Sequence, residues 1–146
     1  MRIGVDLGGT KIEGILLDSS GSICARQRIM TPRGDYAATV VGIRDLVTAL
    51  ERDAGLSKQL PIGVGIPGTV SPTTDLIKNA NSTCLIGERL NRDLESALGR
   101  PVRLANDADC FAISEAVDGA GAGHKVVFGV ILGTGVGGGI VVNGRL

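Results

Sequence analysis

The chain has 146 residues, enough for one domain, or for one domain and the opening of a second. Fifteen basic and fifteen acidic residues cancel, which excludes the cationic footprint of a nucleic-acid binder and a basic membrane-binding face. The aromatic residues are Tyr36, Phe111 and Phe128 alone, so base stacking is excluded as a binding mode and the core must be built from Val, Ile, Leu and Ala. Glycine is the anomaly, with 23 of 146 residues against a usual share of ~7 %.

No apolar run approaches the ~18 residues of a membrane span. Asp6 interrupts the N-terminal apolar stretch before a signal-peptide core can form, so the expectation is a soluble, cytoplasmic protein. Cys24, Cys84 and Cys110 lack the paired spacing of a zinc or redox site and are expected to be reduced thiols. His124 is the sole histidine, which excludes a His-based triad or a multi-His metal site made from this chain alone.

Two β-rich runs over residues 1–17, joined by Gly8-Gly9-Thr10-Lys11, predict a hairpin, and a turn cluster over 18–22 introduces a third antiparallel strand over 23–30. Val40, Ile43, Leu46, Val47 and Leu50 recur at helical spacing, with Asp35 as N-cap and Gly55 as stop. The alternation Ile62-Gly63-Val64-Gly65-Ile66 predicts a short strand closely approached by other backbone. Residues 69–86 are polar and turn-rich, and a helical stripe of Leu90, Leu94, Ala97 and Leu98 follows, ended by Gly99 and Pro101. A brief strand over 102–104 leads into a helix over 107–117 entered through Asn106 and Asp107. Residues 119–123 have hinge composition, 125–132 read as a buried strand, 133–139 as a glycine turn and 140–142 as the returning strand. Strand, glycine turn with a threonine, and strand thus occur twice, in 4–17 and 128–143. The division expected is a first lobe over 1–119 and the start of a second, truncated one over 120–146.

Five segments can carry chemistry. Glycines that let backbone N–H groups converge, a threonine hydroxyl and a lysine make Gly8-Gly9-Thr10-Lys11 a phosphate cradle, unlike the Walker pattern. Asp6, just before it, is placed to hold Mg²⁺ together with phosphate oxygens; a tight hairpin with surface charges is the plain alternative. Gly133, Thr134, Gly135, Val136 and Gly137 contain a G-x-G-x-x-G match with Gly138, but a strand follows instead of the helix a dinucleotide site needs, which favours a phosphate-binding hairpin over a Rossmann site. Asn106 and Asp107 put an amide and a carboxylate at a strand end, where Asp107 can accept a proton from a hydroxyl attacking phosphorus, or where either residue simply caps the helix. Asn81, in Asn79-Ala80-Asn81-Ser82-Thr83, can bind sugar hydroxyls as donor and acceptor or serve only in a turn; Gly68, in Ile66-Pro67-Gly68-Thr69, can bring backbone onto a ligand.

The ordered set Asp6-Leu7-Gly8-Gly9-Thr10-Lys11, Gly65-Ile66-Pro67-Gly68, Asn79-Ala80-Asn81-Ser82, Leu104-Ala105-Asn106-Asp107-Ala108, Ser114-Glu115 and Gly133-Thr134-Gly135-Val136-Gly137 resembles the ROK family of sugar kinases and repressors, over essentially the whole chain and corresponding to the N-terminal half of such a kinase. Lys78-Asn79-Ala80-Asn81-Ser82-Thr83 and Ser114-Glu115-Ala116-Val117-Asp118-Gly119 are most similar to bacterial fructokinases of the manno(fructo)kinase type. The resemblance implies an α/β, ribonuclease-H-like lobe of the actin/hexokinase-like ATPase fold, followed by the opening hairpin of a second lobe, with ATP and sugar held between the lobes. It implies that Gly8, Gly9, Thr10 and Lys11 form the first phosphate motif and Gly133, Thr134, Gly135, Val136 and Gly137 the second. It further implies Asp107 as the base that deprotonates a sugar hydroxyl, most simply the 6-hydroxyl of fructose, with Gly68, Asn81 and Asn106 as sugar contacts and Asp6 near Mg²⁺.

Two positions depart from the family pattern: Cys84 stands where relatives usually have tryptophan, and Asp109 where asparagine is common. The family's further sugar-binding Glu and His, its Cys/His zinc motif and its adenine-binding regions would fall after Leu146, so these residues alone are expected to be inactive or nearly so. Full-length relatives are often homodimers. A sugar-sensing regulator and a non-catalytic ATP-binding module share this architecture. The strand beginning at Arg2 is expected to have no helix-turn-helix ahead of it, Asp107 favours catalysis over sensing, and a bare ATP module gives no reason for the asparagine clusters.

Overall fold

Alternation of two sets the first sheet in place. In β1 (Arg2–Leu7) and β2 (Lys11–Leu17), Ile3, Val5 and Leu7 and then Ile12 and Leu16 turn to one face and are buried. The structure, a computed structural model, describes residues 1–56, 59–132 and 136–146. β3 (Ile23–Met30) pairs antiparallel with β2, as expected. Its entry turn is organised by Asp18, whose Oδ1 accepts the N–H groups of Ser20 and Ser22 at 2.8 and 3.0 Å and the Ser20 hydroxyl at 2.6 Å; the Ser20 hydroxyl is the chief cause holding that carboxyl below its ordinary pKa.

The predicted helix is α1 (Tyr36–Asp53). Asp35 caps it by accepting the Ala38 N–H at 2.9 Å, and its buried stripe of Ile43, Leu46, Val47 and Leu50 lies on the sheet. Close approach is possible because β2 carries Gly14 there: a Cβ would meet the Leu50 side chain at 2.8 Å. The chain returns as β4 (Ile62–Ile66), parallel to β1. Here the sequence expectation of a crowded strand fails at Gly63, where a Cβ would meet nothing within 4 Å.

The turn-rich stretch contains more order than its composition predicts. β5 (Thr69–Val70) and β6 (Ile77–Lys78) pair, and a 3-10 turn spans Thr83–Leu85, anchored by the buried Ile77 and Leu85. α2 (Leu90–Leu98) buries Leu90 and Leu94 and ends on Gly99, in the left-handed region at φ 66°. Tyr36 donates its hydroxyl to Asp93, joining α1 to α2. Arg100, with a side chain only 7 % exposed, donates to Glu51 at 2.7 Å. β7 (Val102–Asn106) runs two residues past the predicted end. The strand order of the five-stranded sheet is β3-β2-β1-β4-β7.

Two compact units result, Met1–Leu104 and Ala105–Leu146. In the second, α3 (Asp107–Val117) packs on the antiparallel hairpin of β8 (Val126–Leu132) and β9 (Val136–Val142). Residues 136–139, expected in a turn, are strand. Their glycines answer to packing: a Cβ on Gly137 would stand 3.1 Å from that of Ala108, and one on Gly139 would stand 2.7 Å from the Ala108 carbonyl oxygen. Gly129, opposite Gly139, meets Ala112 in the same way at 3.0 Å. The face turned from α3 carries Val126, Phe128, Val130, Leu132, Val136 and Ile140, all exposed, Phe128 by 66 % and Leu132 by 78 %. Among the described residues, no helix is long and apolar enough to cross a membrane.

Candidate functional site

In the unit Met1–Leu104, the carboxyl ends of the parallel strands β1 and β4 lie side by side, with Asp6 opposite Gly65. Such strand ends are where open α/β sheets hold ligands. The Gly8 N–H donates to the Lys11 carbonyl at 3.0 Å and closes the turn. A Cβ on Gly8 would lie 2.8 Å from that same oxygen, so the turn requires glycine. Asp6, Gly9, Thr10 and Lys11 are all exposed around it.

The first residue after β3 grips this turn. Thr31 donates its hydroxyl to the Gly8 carbonyl at 2.7 Å and its N–H to the Thr10 carbonyl at 3.0 Å. The sequence reading does not single out Thr31. Its place follows from the β2–β3 register, which sets Met30 opposite Lys11, and that register is fixed only once the strands pair.

Gly68 sits at φ 112° just past β4, where a Cβ would strike the Lys78 carbonyl oxygen at 2.7 Å and the Ala80 Cα at 3.0 Å. The end of β4 is thereby pressed onto the asparagine loop. Within that loop Asn79, at φ 56°, is the turn-forming residue; Ala80 is buried and Asn81 exposed. Ser82 stands at the N-cap of the 3-10 turn without making a side-chain cap bond, and its Oγ is 3.7 Å from where a Gly9 Cβ would be. Four predicted elements are therefore gathered at one end of this unit: Asp6, the Gly8-to-Lys11 turn, Gly68, and the loop carrying Asn81.

Among the described residues no group of three or more His, Cys, Asp or Glu side chains could hold a metal by itself. Asp6 offers a single exposed, hard carboxylate beside the glycine turn. That donor suits Mg²⁺, which takes one or two carboxylates and completes its shell with phosphate oxygens and water.

In the unit Ala105–Leu146, Asn106 caps α3, its Oδ1 accepting the N–H groups of Ala108 and Asp109 at 3.0 and 3.3 Å. The capping alternative thus falls on Asn106. Asp107, the half-buried first residue of the helix, accepts the Ala108 N–H on Oδ1 at 2.8 Å, and its Oδ2 takes no hydrogen bond among the described residues. Gly137 lies against Ala108, so the glycine hairpin and the start of α3 meet. Gly133, Thr134 and Gly135 lie outside the described residues. Glu115 serves the fold: its Oε2 accepts the Ala120 N–H at 2.8 Å and its carbonyl accepts the Gly121 N–H at 2.9 Å, bending the chain after α3. Cys24, Cys84 and Cys110 form no disulfide among the described residues.

Compared with known proteins, residues 2–146 match the model of the ROK family. The N-acetyl-D-glucosamine kinase of Pectobacterium carotovorum subsp. carotovorum (strain PC1) is 43 % identical over 145 residues, which are 99 % of this chain and 47 % of that protein. Among solved structures, the ROK family glucokinase from Streptomyces griseus, in complex with glucose and AMPPNP, superposes with a TM-score of 0.87 at 33 % identity, over 99 % of this chain and 45 % of its own. The inorganic polyphosphate/ATP-glucomannokinase from Arthrobacter sp. strain KM gives a TM-score of 0.86 at 31 % identity, over 99 % of this chain and 59 % of its own. The chain spans about half the length of the curated relatives it matches. The expected fold is thus the one found, the actin/hexokinase-like ATPase fold in its N-terminal part. The curated relatives carry the name of an N-acetylglucosamine kinase, where the sequence motifs resemble fructokinases.

Proposed function

The chain belongs to the ROK family, and from that premise we propose that it supplies the phosphate-binding and sugar-binding half of a cytoplasmic, ATP-dependent hexose kinase. The observation that carries the proposal is the gathering of the glycine turn, Gly68 and the asparagine loop, with Ser82 Oγ against Gly9. A phosphate cradle and a hydroxyl-binding loop at one strand edge suit a protein that holds both a nucleotide tail and a sugar.

In this reading Gly8 closes the turn through its N–H bond to the Lys11 carbonyl, Gly9, Thr10 and Lys11 direct N–H groups, a hydroxyl and an ammonium at the terminal phosphates of ATP, and Gly133, Thr134, Gly135, Val136 and Gly137 serve a second phosphate contact. Gly68, Asn81 and Asn106 bind sugar hydroxyls. The Asp107 carboxylate accepts the proton of the attacking hydroxyl as its oxygen bonds to the γ-phosphorus and the bond to the ADP oxygen breaks. The helix N-terminus is a favourable place for that negative charge. Asp6 would hold Mg²⁺, which when bound offsets negative charge on the phosphate oxygens.

For the sugar, the curated relatives favour N-acetylglucosamine. Phosphorylation of fructose to fructose 6-phosphate is the second reading, carried by the wording of Lys78-Asn79-Ala80-Asn81-Ser82-Thr83. Coupled assays of ADP release with N-acetylglucosamine, fructose, mannose and glucose, on this chain continued to the full length of its relatives, decide between them. Turnover with none of the four sugars overturns the kinase reading.

A further inference from the structure

The amide groups of Gly9 and Thr10 donate to no protein acceptor among the described residues, although both sit in a tight turn flanked by paired strands. Two hydrogen bonds hold the turn on its other side, and both come from Thr31. A trans peptide is planar, with its C=O and N–H pointing in opposite directions. The carbonyl that Thr31 Oγ1 holds at 2.7 Å is that of Gly8, and it shares its peptide plane with the N–H of Gly9. Fixing that oxygen toward β3 therefore fixes the Gly9 N–H away from it.

From this geometry we infer that Thr31 is a positioning residue for phosphate: it aims the Gly9 N–H by anchoring the Gly8 carbonyl, without touching the ligand. The inference rests on the reading of the glycine turn as a phosphate cradle. Glycine makes the device necessary. A residue without a Cβ is free to rotate its peptide planes, and a cradle whose donors must all face one anion gains by having that rotation stopped from outside. The Thr31 N–H bond to the Thr10 carbonyl at 3.0 Å keeps the threonine itself in register with the turn.

The test uses this chain continued to the full length of its relatives, with Thr31→Val, which keeps the shape and removes the hydroxyl, and Thr31→Ser, which keeps the hydroxyl. Backbone ¹⁵N order parameters of Gly9 and Thr10 are measured without nucleotide, and their ¹⁵N shifts are then titrated with Mg²⁺ and AMPPNP. Thr31→Val is expected to lower the Gly9 order parameter and to weaken AMPPNP about tenfold, the loss of one aligning hydrogen bond, while Thr31→Ser stays within about twofold of the parent chain. Equal affinity for AMPPNP in Thr31→Val and the parent chain overturns the positioning role, as does an equal loss in Thr31→Ser. An unchanged Gly9 order parameter in Thr31→Val overturns the grip itself. Absence of any AMPPNP-induced shift at Gly9 and Thr10 in the parent chain overturns instead the phosphate reading on which the inference stands.

Discussion

A β-carbon on Gly139 would stand 2.7 Å from the carbonyl oxygen of Ala108. β9 and the first turn of α3 therefore approach closely, and at the middle of the strand a methyl group has no room. Gly139→Ala is expected to destabilise the protein by about 1–3 kcal/mol through overpacking. Gly63→Ala, in β4 with open space around the added carbon, should be neutral or stabilising by up to about 1 kcal/mol, since glycine in a strand is the costlier residue. Urea unfolding of both variants checks this; equal effects would refute the packing account of the strand glycines.

Asp107→Asn retains an oxygen that can accept the Ala108 N–H now bound at 2.8 Å, so helix α3 should keep its start. What it loses is the proton acceptor. Sugar phosphorylation is expected to fall by about 10²–10⁴ in kcat, the usual contribution of a general base, with KM for the sugar little changed. Near-parental kcat removes Asp107 from the base role.

Asn106 has two proposed duties, and one substitution separates them. Asn106→Ala should cost about 1 kcal/mol by stripping the cap from Ala108 and Asp109. Asn106→Asp restores a capping oxygen and should restore stability, yet it replaces an amide donor with a carboxylate. Sugar affinity that stays low in Asn106→Asp while thermal stability recovers identifies the amide as a sugar contact; full recovery of both assigns the residue to the cap alone.

Tyr36 is the sole tyrosine, so its ionisation can be followed directly by ultraviolet absorbance. Burial first, and then its hydrogen bond to Asp93, raise its pKa above the ordinary value of about 10. Because the folded pKa is the higher one, this group's contribution to stability is complete below pH ~10 and declines as pH rises from there toward the folded pKa. Tyrosinate should appear only well above pH ~10 in the folded chain, and Tyr36→Phe should flatten that part of the alkaline stability loss. A midpoint near 10 in the native protein would contradict the burial of the hydroxyl.

Much of this arrangement is legible in the sequence where a period or a cap is involved. Ile3, Val5 and Leu7 announce β1 by alternation, and Asp35 and Gly99 mark helix ends by the chemistry of caps and of positive φ. Asn106 and Asp107 are legible as a pair, though the division of labour between cap and carboxylate waits on rotamers. Gly137 and Gly139 mislead, because a glycine needed for a helix to press on a strand looks the same in a sequence as one needed for a turn. Thr31 carries no signal, and Ser82 stands out only as a member of the asparagine loop, because what matters in each is a contact with a residue 23 or 73 positions away along the chain, Gly8 or Gly9, and register of that kind is a tertiary property.

The uncovered side of β8 and β9 carries a further consequence. Phe128 stands across from Ile140 and Leu132 across from Val136, so the oily side chains form one unbroken band instead of scattered spots. Bands of this kind adhere to each other and to other greasy surfaces. The concentration at which these 146 residues stay dispersed, and the appetite of a holdase chaperone for them as they leave the ribosome, should be set by that ribbon.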